Sequence, residues 1–289
     1  MGQVDVEKRV VNVTEVLKNH GASAYSAAQG FTVAPNGVSF AVSLNDDVTP
    51  NKAALIGIVG SNRYVRTGVE LGHGNDCAYY DGYFYVTVGG NSDAPTTVKR
   101  FKLDTSNNWV NSGTFTYNPM GGIGIPTDPL NKVSAIAHIS GNNFILNKER
   151  IFSVCRLDET KKEFVEFSRF QISAADWAKL SRSGCKPPAP QGMYYAHGKV
   201  YKAFSYRDTD TEAIKKNDIA ALSLQGDSPS FNGISLDARY SCDRTSKVRF
   251  EVEGIGSPDG GSHMYMYANV KNDSKGGQTD SIYRITLQN

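Results

Sequence analysis

Apolar and polar residues alternate along most of this chain with a period of two, in short runs rich in Val, Ile, Thr, Tyr and Phe between Gly, Asn and Asp turns. Period two places every second side chain on one face of a strand, so these runs predict strands and few helices. Five segments share a pattern of polar, small and apolar residues: Gln29-Gly30-Phe31, Asn75-Asp76-Cys77, Ser134-Ala135-Ile136, Gln191-Gly192-Met193 and Glu253-Gly254-Ile255, with Asp76 the one exception at the small position. Seven or eight residues after each first member stands a glycine of turn character: Gly37, Gly82, Gly141, Gly198 and Gly261.

Each turn leads into a second strand, at 38–42, 83–88, 143–146, 199–204 and 263–270. Third strands are expected at 53–59, 97–103, 151–157, 218–224 and 281–287, and fourth strands at 65–71, 109–117, 164–172 and 233–240. The last unit ends at Asn289 without a fourth strand, and the alternating segment 10–17 is expected to supply it by pairing with 281–287. Such closure removes exposed sheet edges. The predicted fold is all-β, a five-bladed β-propeller of four-stranded blades with the last blade closed by an N-terminal strand, in one domain over 1–289. A two-sheet sandwich is the competing architecture. Units begin 46, 59, 57 and 62 residues apart. The excess over familiar propeller repeats is read as insertions at 121–132, 173–190 and 205–217, the second holding a short helix capped by Ser173.

Composition narrows the function classes. Lys and Arg total 31 against 29 Asp and Glu, a net charge of +2, which gives no basic stripe for nucleic acid. The longest strongly apolar stretch, 53–60, is far short of the roughly 20 residues of a membrane-spanning helix. The first ten residues include Asp5, Glu7, Lys8 and Arg9, with no apolar run after them, so no signal peptide is read there. Four cysteines stand at 77, 155, 185 and 242, without a C-x-x-C pair. Cys77 and Cys155 fall within strands and are expected to pack as small apolar residues. Cys185 and Cys242 lie in connections upstream of adjacent inner strands, where a disulfide is geometrically open if their Cα atoms come within about 7 Å.

The chain resembles the helveticin J family of large bacteriocins. The likeness rests on Gln191-Gly192-Met193 with Gly198-Lys199-Val200-Tyr201, and on the final unit. That unit reads Val252-Glu253-Gly254-Ile255, His263-Met264-Tyr265-Met266-Tyr267-Ala268-Asn269-Val270, residues 271–277 and Ile282-Tyr283-Arg284-Ile285. The resemblance implies a secreted antibacterial protein acting at a bacterial envelope, often without a classical signal peptide. It supplies no catalytic residues.

In such a fold the inner strands surround a channel, and ligands meet the face where those strands begin. The first repeat position offers Gln29, Asn75, Ser134, Gln191 and Glu253 there, all polar although each precedes an apolar strand. These groups either seal the channel by bonding one another and water, or form a cup for a sugar. The candidate ligand-binding set is Gln29, His73, Asn75, Asp76, Gln191 and Glu253, with Tyr25 and His73 on entry loops. Asp76 and Glu253 are the acidic residues of the repeat positions, but their opposite strand parity argues against a hydrolytic carboxyl pair.

No G-x-S-x-G, G-x-G-x-x-G or G-x-x-x-x-G-K motif is present, and Gly121-Gly122-Ile123-Gly124-Ile125-Pro126 reads as a connection, not a phosphate loop. His197 and His263 are expected at solvent-facing turns. The acidic groups Asp46-Asp47 and Asp208/Asp210/Glu212 match no calcium-loop spacing and read as solvated charge. The expected function is non-catalytic recognition of bacterial cell-wall or surface carbohydrate by a monomer, possible bacteriocin activity included. No cofactor, metal, nucleic acid or transmembrane segment is expected. The alternative is a carbohydrate-active enzyme, a glycoside hydrolase, with its site at the channel.

Overall fold

In the computed structural model, which describes residues 1–48, 50–89, 94–121, 128–211, 213–242, 248–272 and 278–288, the alternating runs form extended strands. Strand β1 (Gly2–Asn12) leads into helix α1 (Val13–Asn19). There follow β2 (Ala27–Val33), β3 (Ser39–Asn45), β4 (Lys52–Val59) and β5 (Asn62–Val69), then β6 (Cys77–Tyr80), β7 (Tyr83–Thr87), β8 (Thr97–Leu103) and β9 (Trp109–Asn118). Next come β10 (Ala135–Ser140), β11 (Asn143–Lys148), β12 (Ile151–Asp158) and β13 (Glu163–Gln171), and helix α2 (Ala174–Lys179). The chain ends with β14 (Ala189–Ala196), β15 (Lys199–Arg207), β16 (Ile214–Gln225), β17 (Gly233–Ser241), β18 (Val248–Gly256), β19 (Met264–Asn272) and β20 (Gln278–Gln288).

Consecutive strands pair antiparallel, and short parallel pairings of β9 with β13 and of β1 with β17 join neighbouring groups. Continuous hydrogen bonding therefore runs through two eight-stranded sheets and one four-stranded sheet. The starting strands β2, β6, β10, β14 and β18 pack each against the next, and β18 returns to β2. The fold is all-β and propeller-like. The glycines after the repeat motif close tight hairpins: Gly82 and Gly198 have φ of 81° and 74°, preceded by Asp81 and His197 at 49° and 48°. Two successive residues at positive φ are the signature of the hairpin turn that matches strand twist.

Between neighbouring groups of strands lie separate apolar layers. One holds Phe40, Leu55, Phe84 and Trp109, the next Tyr85, Phe115, Phe144 and Phe164, and a third Phe152, Phe170, Phe204 and Leu222. A fourth holds Ile219, Phe250 and Met266. The last joins Phe31 and Ile56 to Tyr267 and Ile282, and includes Val11, Val13, Val16 and Leu17 from the N-terminal segment. The N-terminus is thus part of the core and not an appendage.

Several expectations are corrected. The closing strand is Gly2–Asn12, which pairs with β20 from Gln3 opposite Gln288 to Asn12 opposite Ser281. Of the segment 10–17 only the first three residues are extended, because Asn12 accepts a hydrogen bond from the Glu15 backbone N at 3.1 Å and caps α1. Val13, Val16 and Leu17, spaced i, i+3, i+4, then bury one helical face.

Residues 205–217 are no insertion: Ser205, Tyr206 and Arg207 extend the β15 ladder opposite Asn217, Lys216 and Ile214. Their polar composition conceals a buried Tyr206 and a buried Asn217, whose amide bonds the Phe250 carbonyl at 2.7 Å and the Val252 N at 3.1 Å. No disulfide joins Cys185 to Cys242, and none of the four cysteines is in a disulfide. Cys242 is buried beside Met266, and Cys185 sits in a bridge opposite Asp208. Cys77 and Cys155 are buried in strands, and Ser173 caps α2 by accepting from the Asp176 N at 3.0 Å. Residues 122–127 of the glycine-rich connection, 273–277 of the final unit, and Glu212 lie outside the described residues.

Candidate functional site

The repeat motif coincides with irregularities in the inner strands. The register slips between Ala28 and Phe31 in β2, between Pro190 and Met193 in β14, and between Val252 and Gly254 in β18. A bulge removes a residue from the ladder and re-aims its side chain. Here the re-aimed residues are Gln29, Gln191 and Glu253. The small residue beside them is a steric requirement: a Cβ on Gly192 would lie 2.7 Å from Asp76 Oδ1 and 2.9 Å from the Glu253 carbonyl.

The result is a cavity of about 390 Å³, open to solvent, lined by Ser26, Gln29, Asp46, His73, Asn75, Gln191, Arg207, Glu251, Glu253 and Asn269 together with Ala27 and Ala28. Five of the six residues picked from sequence therefore meet in one place: Gln29, His73, Asn75, Gln191 and Glu253. Gln191 Nε2 donates to Ser205 Oγ at 3.0 Å and to Glu251 Oε1 at 3.1 Å, and Ser205 Oγ also bonds Glu251 Oε1 at 3.0 Å. Arg207 approaches the same carboxylate oxygen at 4.0 Å. Asn75 Oδ1 is buried without a protein partner.

Glu253 is 7% exposed and in hydrogen-bond contact with Glu251. Burial, and then the charges of Glu251 and Asp280, push its carboxyl well above the usual range, which favours its protonated form. His73 is shifted the other way: burial, and then Lys132, favour its neutral form.

Asp76 is the sixth residue and does not line the cavity. It is fully buried below it, where Oδ2 accepts from the backbone N of Ile136 and of Met193, each at 3.0 Å. Its own backbone pairs with Thr87. Lys202, 1% exposed, donates to the Gln191 carbonyl at 2.8 Å and faces Asp76 electrostatically. Burial drives the Asp76 carboxyl up and the Lys202 ammonium down, while each charge opposes the shift of the other. Asp76 is a structural node that ties β6, β10 and β14 together under the cup.

Beyond that floor, at the far ends of the inner strands, lies a second cavity of about 430 Å³ with Tyr79, Tyr80, His138, Tyr194 and Tyr195 in its wall. Tyr80 and His138 stack there at 4.6 Å.

Other expected residues lie elsewhere. Ser134, whose backbone N donates to the Asn147 carbonyl, does not line the cup, and neither does Tyr25, whose hydroxyl accepts from the Gly68 N at 3.0 Å. His197 and His263 are exposed at turns. Ser26, Asp46, Arg207, Glu251 and Asn269 were not foreseen. Only Glu251 carried a usable signal, since it stands two residues before Glu253 on one strand. Asn269 enters as the cross-strand partner of Glu251, which only the register reveals. Among the described residues of the acidic loops, Asp208 is spent on an Asx turn, accepting from the N of Asp210 and of Thr211.

The raised Glu253 pKa has a definite sign. Protonation is favoured in the fold, so the contribution is fully present below the ordinary carboxylate pKa and is lost as pH rises through the raised value. Glu253→Gln removes this dependence. Its melting temperature relative to the parent should climb as pH goes from about 5 to about 8, each displaced pKa unit being worth ~1.4 kcal/mol. Melting curves of the two proteins across that range check it, and a constant difference would contradict the assignment.

No protein-family model and no curated protein matches the chain. Solved structures do resemble it. A bifunctional GH43-CE protein of Bacteroides eggerthii superposes with a TM-score of 0.54 at 10% identity, over 89% of this chain and 33% of its own. A tail fiber of a Staphylococcus aureus phage gives 0.52 at 12% identity, over 90% of this chain and 50% of its own. Bacteroides ovatus xyloglucan PUL GH43B gives 0.48 at 14% identity, over 91% of this chain and 53% of its own. The chain thus spans between a third and about half of the length of these structures. At such identities the likeness bears on the fold.

Proposed function

We propose that the chain is a five-bladed β-propeller, each blade of four strands and the last completed by β1, and that its cup binds carbohydrate of a bacterial cell wall or surface without cleaving it. One observation carries the reading: side-chain amides from Gln29, Asn75, Gln191 and Asn269 converge with two glutamates on one open cavity of about 390 Å³. Amides both donate and accept, which is what the hydroxyls of a sugar ring require. The cyclic packing of the five starting strands supports the blade count.

A hydrolase is the second reading, favoured by the GH43 fold neighbour and by the carboxyl groups of Asp46, Glu251 and Glu253 in the cavity. Hydrolysis generally needs two carboxyl groups roughly 5–9.5 Å apart across the scissile bond. Glu251 and Glu253 are in hydrogen-bond contact, closer together than the separation that flanks a scissile bond. The likeness of residues 191–201 and of the final unit to helveticin J-like proteins supports a target at a bacterial envelope and an exported protein. Growth inhibition of indicator bacteria tests that part.

A glycan array combined with a reducing-sugar assay separates binding from cleavage. Gln191→Ala and Glu253→Gln should each weaken glycan binding by about 1–3 kcal/mol, the cost of an unpaired polar partner, with a smaller effect on folding. Unchanged binding of both variants to glycan and to whole cells, with melting several degrees lower, would make the ring purely structural.

A further inference from the structure

Charge in the cup is unbalanced for a neutral ligand. Asp46, Glu251 and Glu253 face one guanidinium, Arg207, and a histidine that burial holds neutral. Glu251 and Glu253 are two residues apart on bulged β18, and both project into the cavity. Asn269, only 9% exposed, also lines it, and its side-chain amide has no hydrogen-bond partner among the described residues. A buried amide facing a cavity without a partner is costly unless a ligand or water completes it. Among the described residues, no three His, Cys, Asp or Glu side chains converge closely enough to hold a metal ion.

We propose that the cup recognises a sugar bearing a free amine, an unacetylated amino sugar, whose ammonium sits between Glu251, Glu253 and Asn269 while Gln29, Asn75 and Gln191 read ring hydroxyls. The proposal rests on the carbohydrate reading and sharpens it. An ammonium is a compact charge with three donors, which matches two carboxyl groups and an amide oxygen. Docking displaces the proton held by Glu253, which passes to solvent, and no covalent bond is made. The charged and titratable groups facing Glu253 are Glu251 on its own strand, Arg207 on β15, Tyr267 on β19 and Asp280 on β20. Only Arg207 among them is cationic, and it stands 4.0 Å from Glu251. An N-acetylated sugar has no charge to exchange for that proton.

Isothermal titration of the full chain with three β-1,4-linked tetrasaccharides tests this: one of glucosamine, one of N-acetylglucosamine and one of glucose, at about pH 6, where an aliphatic amine is protonated. The glucosamine oligomer should bind about tenfold or more tighter than either of the others, the equivalent of ~1.4 kcal/mol. Its binding heat should vary with the ionisation enthalpy of the buffer, reporting proton release. In Glu253→Gln the preference should collapse to the level of the acetylated oligomer, and in Glu251→Gln likewise. Equal affinity for all three oligomers overturns the amine inference and leaves carbohydrate binding standing. A preference that survives in both variants overturns it as well. Failure of the glucosamine oligomer to bind also rejects it, and the glycan array then decides separately whether any carbohydrate is bound.

Discussion

Deleting residues 1–12 is expected to lower the melting temperature by roughly 10–30 °C or to leave the chain insoluble. The segment is the outer strand of the last group, paired with β20 along its length, with Asn12 opposite Ser281 at the end of the ladder. Its loss strips Val4 and Val6 from the layer around Phe250, and Val11 from the layer around Phe31 and Tyr267. Val11 is buried and Val4 and Val6 are partly so, and at up to about 1.5–3 kcal/mol for a fully buried side chain their loss is a large part of the stability of a single domain. The cut also removes the Asn12 cap of α1, whose Thr14 hydroxyl accepts from the Asp280 N at 2.7 Å. The exposed edge of β20 would then be free to pair with other chains. Calorimetry and size-exclusion chromatography of the truncated protein check this. A melting curve like that of the parent would mean that the N-terminal strand does not close the fold.

Asp76→Ala should cost about 3–5 kcal/mol, the range for leaving a buried charge without its partner. The substitution orphans the buried Lys202 ammonium and leaves the N of Ile136 and of Met193 without their acceptor. Those two groups belong to β10 and β14, so one side chain holds the starts of three inner strands in place. Asp76→Asn should cost less, because an amide oxygen can still accept from a backbone N–H. Adding Lys202→Met to Asp76→Ala should recover part of the loss by removing the orphaned charge. Urea denaturation of the three variants decides between this account and a role in ligand binding. A fully stable Asp76→Ala protein that has lost only glycan affinity would reverse the assignment.

Asp76 was legible as an anomaly, an acid where four sister motifs carry Gly or Ala, but its destination was not. Chain position suggested the cup. The structure sends the carboxylate inward to the Met193 N, 117 residues away, a partner that no local pattern specifies. The closing strand was legible as a need, since the last unit lacks a member, and was misplaced by several residues. Val13, Val16 and Leu17 suit either a strand or a helical face in so short a run, and the Asn12 cap decides for the helix.

The cup divides the same way. Alternation and the shared glycine offset are local properties of consecutive residues. They suffice to locate the strands, the tight hairpins and the inner-strand starts, and so to bring Gln29, Asn75, Gln191 and Glu253, with His73 on the loop before Asn75, to one mouth. Glu251 and Asn269 required the register of β18 on β19, and Arg207 required a ladder extended through a polar stretch that looked like a loop. The direction of Glu253 depends on the bulge between Val252 and Gly254, and the absence of a disulfide depends on where Cys185 and Cys242 come to rest. The sequence by itself determined which residues stand at the starts of the strands, because spacing along a chain is set by covalent geometry and period. The tertiary structure alone decided which of them face solvent and which are buried beside another charge, because bulges, burial and charge pairing arise from contacts between segments far apart in the chain.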